Sequence, residues 1–329
     1  MKYELEELEQ RIHTPQLEGI GERLEDDVCE MLQRAGIYFR IFHRVKTPES
    51  IVDKINKDGY GFEDDEKRMQ DLIGMRIVVY YYDDMKILQT VFDRTFARQG
   101  EWAVTDNSSE EFKASKLNGV YRIPDEYRSI YNGDLSMYPI DSTFEVQLRT
   151  ISFEGWHEIE HDMRYKGEEI WKNYSGFSRY FNSILATLEL CDKSMVTLFE
   201  DLGHSLYKSG RWSDMIKSHF RLKLGEASLY PEVEQVLNED LELQVENLAK
   251  RMYKTSRQTL VEQLLKRSRR VPINVNTIIA LLNDSQFHDS RLTAIFRQRD
   301  VYNDGREESQ VETRHYEMKP LTRHTVFQV

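Results

Sequence analysis

Arg44 and Lys46 stand two apart at the end of a segment in which Ile37, Phe39, Ile41 and Val45 predict a strand, so both side chains leave the same face. Thr47-Pro48 then predicts a helix cap followed by proline at the first helical position. Ser50 and Lys54, four apart, stack on one face of that helix, with Ser50 in its first turn. A helix start offers free N–H groups and a positive dipole end, and beside these cations it makes a cradle for a polyanion such as a triphosphate. Spacing alone also describes three solvated cations and a serine near a cap, which is the commoner outcome. Two acids complete the chemistry: Asp71 stands just before the strongest strand signal, and Glu145 lies within FEVQLRT at 144–150. Alternation sets Glu145, Gln147 and Arg149 on one face of that strand and sends Phe144, Val146 and Leu148 into the core. Carboxylates from two strands can approach one Mg²⁺ held mainly by substrate oxygens. Taken singly, an Asp in that place is more often a strand-edge cap and a Glu a solvated strand residue.

The elements that must position these groups are legible in outline. Residues 4–36 read as two helices, with Leu24, Val28, Met31, Leu32 and Ala35 forming one buried stripe. MRIVVYYY at 75–82 is the strongest strand, 86–97 reads as a helix, and 102–105, 119–123 and 143–149 read as further strands. Helix and strand intermix without the regular alternation of a parallel fold, so the class is α+β: a mixed, mostly antiparallel sheet flanked by helices, with an α-helical C-terminal part. From Phe153 the pattern is helical, and Phe177, Phe181, Ile184, Leu188, Met195, Leu198 and Leu202 keep a spacing suited to packing on the sheet. Breaks around 208–226 place a boundary: residues 1–212 are expected to form one domain, 213–300 a helical accessory domain, and 301–329 a flexible tail.

The 329 residues, 40% hydrophobic and 31% charged with no long apolar run, describe a globular chain with no membrane span. An acidic N-terminus without a basic-then-apolar signal, and only Cys29 and Cys191, set the expectation of a cytoplasmic, reducing environment. A net charge of −12 disfavours general nucleic-acid binding, and the cluster Lys266, Arg267, Arg269 and Arg270 reads first as a solvated helix end.

Four blocks in fixed order carry a family resemblance. HRVKTPESIVDK at 43–54 resembles the R-x-K-x-x-x-S-x-x-x-K segment of RelA/SpoT synthetase domains; DLIGMRIV at 71–78 resembles their strand entry; FEVQLRT resembles their E-(I/V)-Q-(I/L)-R-T strand; and WHEIEHDMRYK at 156–166 resembles their W-x-x-I-E-H-x-x-x-Y-K helix. The resemblance covers about residues 40–170 and continues into the helices near 200. It implies a nucleotidyltransferase-like synthetase fold that moves the β,γ-pyrophosphate of ATP to the 3′-hydroxyl of GDP or GTP, making a (p)ppGpp-type alarmone. Residue by residue, it implies ATP binding by Arg44, Lys46, Ser50, Lys54 and Arg76, with Asp71 and Glu145 as catalytic acids and Mg²⁺ ligands. Glu145 either joins the metal site or takes the proton of the acceptor hydroxyl. Acceptor contacts fall to Lys116, Gln147, Arg149, His161 and a stacking tyrosine.

The acceptor block departs from the family's K-x-N-G-Y-x-S-x-H. KLNGVYRIP at 116–124 brings Tyr121 one residue late, while EYRSIY at 126–131 offers Tyr127 without the glycine or histidine. Two tyrosines therefore compete for the stacking role, and members that modify tRNA or adenine nucleotides stand as an alternative reading. HEIEH at 157–161 formally matches the H-E-x-x-H of zinc proteases, the remote alternative together with an inactive nucleotide sensor. About 40 residues precede the first motif, fewer than the family's hydrolase domain would need, so degradation of the product is expected from elsewhere. A homo-oligomer is a further expectation, with the segment after 215 regulatory or oligomerising.

Overall fold

The computed structural model describes residues 2–57, 59–63, 65–104, 117–165, 167–242, 247–267 and 271–302. Two helices, α1 (Leu5–Ile12) and α2 (Thr14–Arg34), open the chain and lead into strand β1 (Phe39–Val45). Helix α3 (Pro48–Ile55), strand β2 (Ile73–Val79) and helix α4 (Tyr82–Thr95) follow. Then come β3 (Ala103–Val104), β4 (Leu117–Arg122), the short α5 (Asp125–Arg128), β5 (Thr143–Thr150) and α6 (Ile151–Ile159). A π-helical turn at Glu160–Tyr165 and α7 (Glu168–Lys172) connect α6 to the long α8 (Ser175–Lys208).

The five strands form one mixed sheet in the order β1-β2-β5-β4-β3, in which only β2 and β5 run parallel. The pairing sets residues in rows across the sheet. Arg44, Gly74, Glu145 and Val120 make one row; Phe42, Arg76, Gln147 and Asn118 make the next on the same face. The opposite face is the core, with Val45, Ile73, Phe144 and Tyr121 in one row. Helix α2 covers it beside β1, where a side chain on Gly21 would come within 2.6 Å of the His43 ring, so the approach requires glycine. Helix α4 covers it farther along, with Phe92 against Tyr121.

The strand expected at 75–82 runs from 73 to 79 instead. Tyr80 to Tyr82 have the composition of a strand, but Asp83 and Asp84 in the first turn of α4 favour a helix N-terminus and close the strand earlier. The stripe assigned to α8 also differs from the expectation. Leu185, Asp192, Gly203 and Leu206 are its buried residues, while Phe177, Ile184, Leu198 and Leu202 are exposed. The helix is apolar over more than one face, and spacing alone did not tell which face meets the protein.

Six more α-helices and a second π-helical turn complete the described chain: α9 (Trp212–Phe220), α10 (Pro231–Glu242), α11 (Leu248–Lys254), α12 (Arg257–Lys266), α13 (Val275–Leu282), the turn at Asn283–Phe287, and α14 (Ser290–Gln298). The boundary expected near 213 falls at the start of α9, yet the apolar core runs across it without a break, from Leu24 and Phe92 to Trp212, Leu260 and Ile278. A buried ionic cluster ties the two parts together. Asp83 meets Arg221 at 2.5 Å, Asp84 meets Arg257 at 3.0 Å, and both guanidinium groups lie over the Tyr81 ring at 5.3 and 5.2 Å. Val301, expected at the start of a tail, is buried; the rest of that tail from 303 lies outside the described residues. No described helix is long and apolar enough to cross a membrane.

Candidate active site

Thr47 caps α3 by accepting a hydrogen bond from the backbone N–H of Ser50, and Pro48 occupies the first helical position. This brings Lys54 beside the end of β1. Asp71, immediately before β2, receives both lysines: Lys46 donates to Oδ2 at 2.9 Å and Lys54 to both oxygens at 2.7 Å. Burial opposes the charge of Asp71, but the hydrogen bonds from Lys54 and Lys46 outweigh it and hold the carboxyl below its usual range. Arg44 is exposed in the row next to Gly74 and makes no ion pair with the described residues.

Glu145 lies across Gly74 from Arg44, two strands away, or about 9.6 Å at the usual strand spacing. Its carboxylate accepts from Asn118 Nδ2 at 3.0 Å and from Gln147 Nε2 at 2.7 Å. The polar chain continues in the next rows, where Arg149 donates to Gln147 Oε1 at 3.2 Å and to Glu154 Oε2 at 3.1 Å. Arg76 donates to Glu154 Oε1 at 2.7 Å and to Glu158 Oε1 at 2.6 Å. Burial works against the charge of Arg76, yet Glu154 and Glu158 raise its pKa; burial and the neighbouring Arg76 lower that of Arg149. Helix α6 thus supplies the counter-charges for two sheet arginines.

Asp71, Lys54 and Glu145 line a cleft of about 650 Å³, the size of a small-molecule site. Tyr60, Phe62 and Arg68 from the segment between α3 and β2 line it as well, together with Gln70 and Asp141. Arg68 lies over the Phe62 ring at 5.5 Å. Asp141 accepts from Gln70 at 2.9 Å and from Gln99 at 2.8 Å. The two acids therefore share one cleft, and hard oxygen donors of this kind suit Mg²⁺ carried in by phosphates.

The expected acceptor contacts divide. Gln147 and Arg149 share the face of Glu145, and Lys116 lies outside the described residues. Tyr121 is corrected: it is 0% exposed on the core face, its hydroxyl donating to Asp93 at 2.8 Å amid Phe92, Phe96, Trp102 and Phe144. Register decides this, because Val120 and not Tyr121 shares the row of Glu145. Tyr127 does not line this cleft; its hydroxyl donates to Asp27 of α2. His161 sits on the exposed π-helical turn beside Asp162, outside the cleft lining.

The zinc reading of HEIEH finds no support. Glu158, the acid that would activate water, is held by Arg76, and burial with Arg149 and Arg76 lowers the pKa of His157 and sets cationic charge beside it. Among the described residues no three His, Cys, Asp or Glu side chains converge for a metal. Of the basic cluster at 266–270, Arg267 pairs with Asp284 at 3.0 Å and stacks on Tyr302 at 3.8 Å; Arg269 and Arg270 lie outside the described residues. Sequence reasoning missed Glu154, Glu158 and the Phe62 wall. Two arginines on one strand face do call for counter-charges, but nothing in the sequence tells which helix brings them.

Residues 43–170 match the model of a region found in RelA / SpoT proteins. The GTP pyrophosphokinase YjbM of Bacillus subtilis (strain 168) is 28% identical over 130 residues, 37% of this chain and 54% of that protein, so the match spans about half the relative's length. Among solved structures, small alarmone synthetase 1 from Bacillus subtilis is 20% identical, with 57% of this chain and 94% of that one covered at a TM-score of 0.41. A GTP pyrophosphokinase family protein from Streptococcus pneumoniae is 19% identical, with 57% and 91% covered at a TM-score of 0.41.

Proposed function

Because residues 43–170 carry a RelA/SpoT domain, we propose that the chain is an ATP-dependent pyrophosphokinase that transfers the β,γ-pyrophosphate of ATP to the 3′-hydroxyl of GDP or GTP. The observation that carries this reading is the convergence of Lys54, Asp71 and Glu145 on one cleft, with Lys46 on Asp71 and Arg44, which makes no ion pair with the described residues, in the row of Glu145. The lysines neutralise Asp71 in the free protein and turn to the triphosphate when it enters, releasing the carboxylate. Asp71 and Glu145 would hold Mg²⁺ with the phosphate oxygens, and the ion supplies neutralisation of the developing charge.

Arg44, Lys46, Lys54 and the start of α3 at Ser50 bind the triphosphate and fix its β-phosphorus toward Glu145. Arg76, braced by Glu154 and Glu158, holds the nucleoside end of the donor. The acceptor 3′-oxygen forms a bond to the β-phosphorus as the bond from that phosphorus to the α-phosphate oxygen breaks. AMP leaves with the electron pair, and the hydroxyl proton passes to Glu145. Gln147 orients Glu145 through its 2.7 Å hydrogen bond.

Incubating the full chain with γ-labelled ATP and Mg²⁺ against GDP, GTP, ATP and tRNA in parallel tests the reading. Label should appear in a guanine nucleotide with release of AMP, and Lys46→Ala should abolish it. Label in tRNA or in an adenine nucleotide instead would replace the acceptor, and no labelled acceptor at all would leave a nucleotide sensor.

A further inference from the structure

Neither tyrosine expected to stack on the acceptor base lines the cleft, but Tyr60 and Phe62 do. The loop that carries them is tied to itself. Lys67 N–H donates to the Gly59 carbonyl at 2.7 Å, Gly61 N–H to the Lys67 carbonyl at 3.2 Å, and Glu63 N–H to Glu66 Oε2 at 3.0 Å. Its end is fastened to the chain before β5: the N–H of buried Met69 donates to the Pro139 carbonyl at 2.7 Å, and Asp141 N–H to the Met69 carbonyl at 2.9 Å. Arg68 is thereby set between Phe62, whose ring it overlies at 5.5 Å, and Asp141, whose Oδ1 it approaches to 3.6 Å. Phe62 stays 47% exposed, and every base has a π-face to lay on such a ring.

Asp141 supplies what a stacking face lacks, a choice among bases. Its Oδ2 accepts from Gln70 Nε2 at 2.9 Å and from Gln99 Nε2 at 2.8 Å, while Oδ1 accepts no hydrogen bond from the described residues. A carboxylate oxygen with open lone pairs suits the Watson–Crick edge of guanine, where N1–H and N2–H donate side by side. Adenine turns an unprotonated N1 to the same place, and the lone pairs repel. Position in the sheet agrees. Strands β2 and β5 run parallel, and Gln70 and Asp141 lie just before their starts, whereas Arg76 and Gln147 lie beyond Gly74 and Glu145 in the other direction. With the donor's nucleoside end at Arg76, AMP leaves on that side of Glu145, and an in-line displacement brings the acceptor oxygen in from the side of Phe62.

We propose, resting on the pyrophosphokinase reading, that Phe62 and Asp141 form the acceptor-base pocket: the base stacks on Phe62, and Asp141 Oδ1 selects guanine by accepting from N1–H and N2–H. In the free protein the planar CN3 group of Arg68 lies over Phe62 and beside Oδ1. Guanine carries the same unit as N1, C2, N2 and N3, and it takes that place when the half-exposed Arg68 swings off. The amides of Gln70 and Gln99 fix which way a substituted side chain turns. In Asp141→Asn the carbonyl oxygen stays where both amides donate, so the NH2 group replaces Oδ1 and faces the base. That donor repels guanine and suits xanthine, which has a C2 carbonyl in place of the 2-amino group.

Calorimetric titration of the full chain with GDP, ADP and xanthosine diphosphate, with the donor site filled by an ATP analogue that carries a methylene between its α- and β-phosphates, tests the pocket beside acceptor kinetics with γ-labelled ATP. GDP should bind about 10²-fold tighter than ADP. Asp141→Asn should raise Kd and acceptor KM for GDP by about 10²-fold and make xanthosine diphosphate the preferred ligand, a gain that loosened packing would not give. Phe62→Ala should raise both constants for GDP by roughly 10- to 100-fold with the melting profile and the KM of ATP unchanged, and Phe62→Trp should restore them. The two readings fail separately. Binding of GDP that responds to Asp141 without transfer of label supports the pocket and removes the pyrophosphokinase. Transfer to GDP with Kd and KM indifferent to both Asp141→Asn and Phe62→Ala overturns the pocket alone, as does ADP binding as tightly as GDP.

Discussion

Gly74→Val separates the site from the fold. Gly74 sits between Arg44 and Glu145 in one row of the sheet, and an added Cβ would find nothing nearer than 4.0 Å. The backbone there tolerates a side chain, and a β-branched residue suits a central strand better than glycine, so stability should rise by about 0.5–1.5 kcal/mol. The melting temperature would move up by a few degrees at most. Activity should go the other way. The valine methyls reach about 2.5 Å above the Cα, inside the 3.5–4.0 Å at which a bound group would rest, and displace it by about 1 Å or more. A misplacement of that size costs on the order of 10²-fold, or about 2.7 kcal/mol of transition-state stabilisation. Transfer of label from ATP, read as kcat/KM for each substrate, together with a thermal melt of the same preparation, measures both. Gly74→Ala should fall between. A folded valine variant with wild-type kcat/KM would refute the placing of substrate over this floor.

Three other expectations follow from the same structure. Tyr121→Phe removes a buried hydroxyl from Asp93 and should lower stability by about 1–2 kcal/mol while leaving acceptor KM unchanged; a raised acceptor KM at constant stability would return Tyr121 to the site. Burial pushes Asp84 up to about 7 against the opposing charge of Arg257, from an ordinary 3.8. A carboxyl that binds its proton more tightly when folded stabilises most below the unfolded value, and that contribution is lost as pH rises through the folded one. Stability in urea should therefore carry a downward component between about pH 4 and 7 that Asp84→Asn removes, and an unaltered slope would count against it. Asp71 has the opposite sign, because Lys54 and Lys46 depress its pKa: its contribution is present above 3.8 and lost only as pH falls below that value. Asp71→Asn should cut label transfer by about 10²–10³-fold and flatten the acid end of the stability profile; wild-type turnover in that variant would remove Asp71 from the chemistry.

The local chemistry was legible wherever it depended on neighbours in the chain. Thr47-Pro48 predicted the cap that it makes, and the alternation of FEVQLRT placed Glu145, Gln147 and Arg149 together on one face. Helix and strand signals gave the mixed sheet because each strand run was bounded by turn residues or caps. Three matters depended on groups far apart in sequence. Whether Tyr121 faced the cleft or the core turned on a single step of register between β4 and β5, which moves a side chain from one face to the other. Which carboxylates restrain Arg76 and Arg149 depended on how α6 folds back after β5, and which stripe of α8 is covered depended on the helices beside it. Periodicity fixes the faces an element has, because it follows from backbone geometry. What each face meets is a contact between distant segments, and only packing of the whole chain decides it.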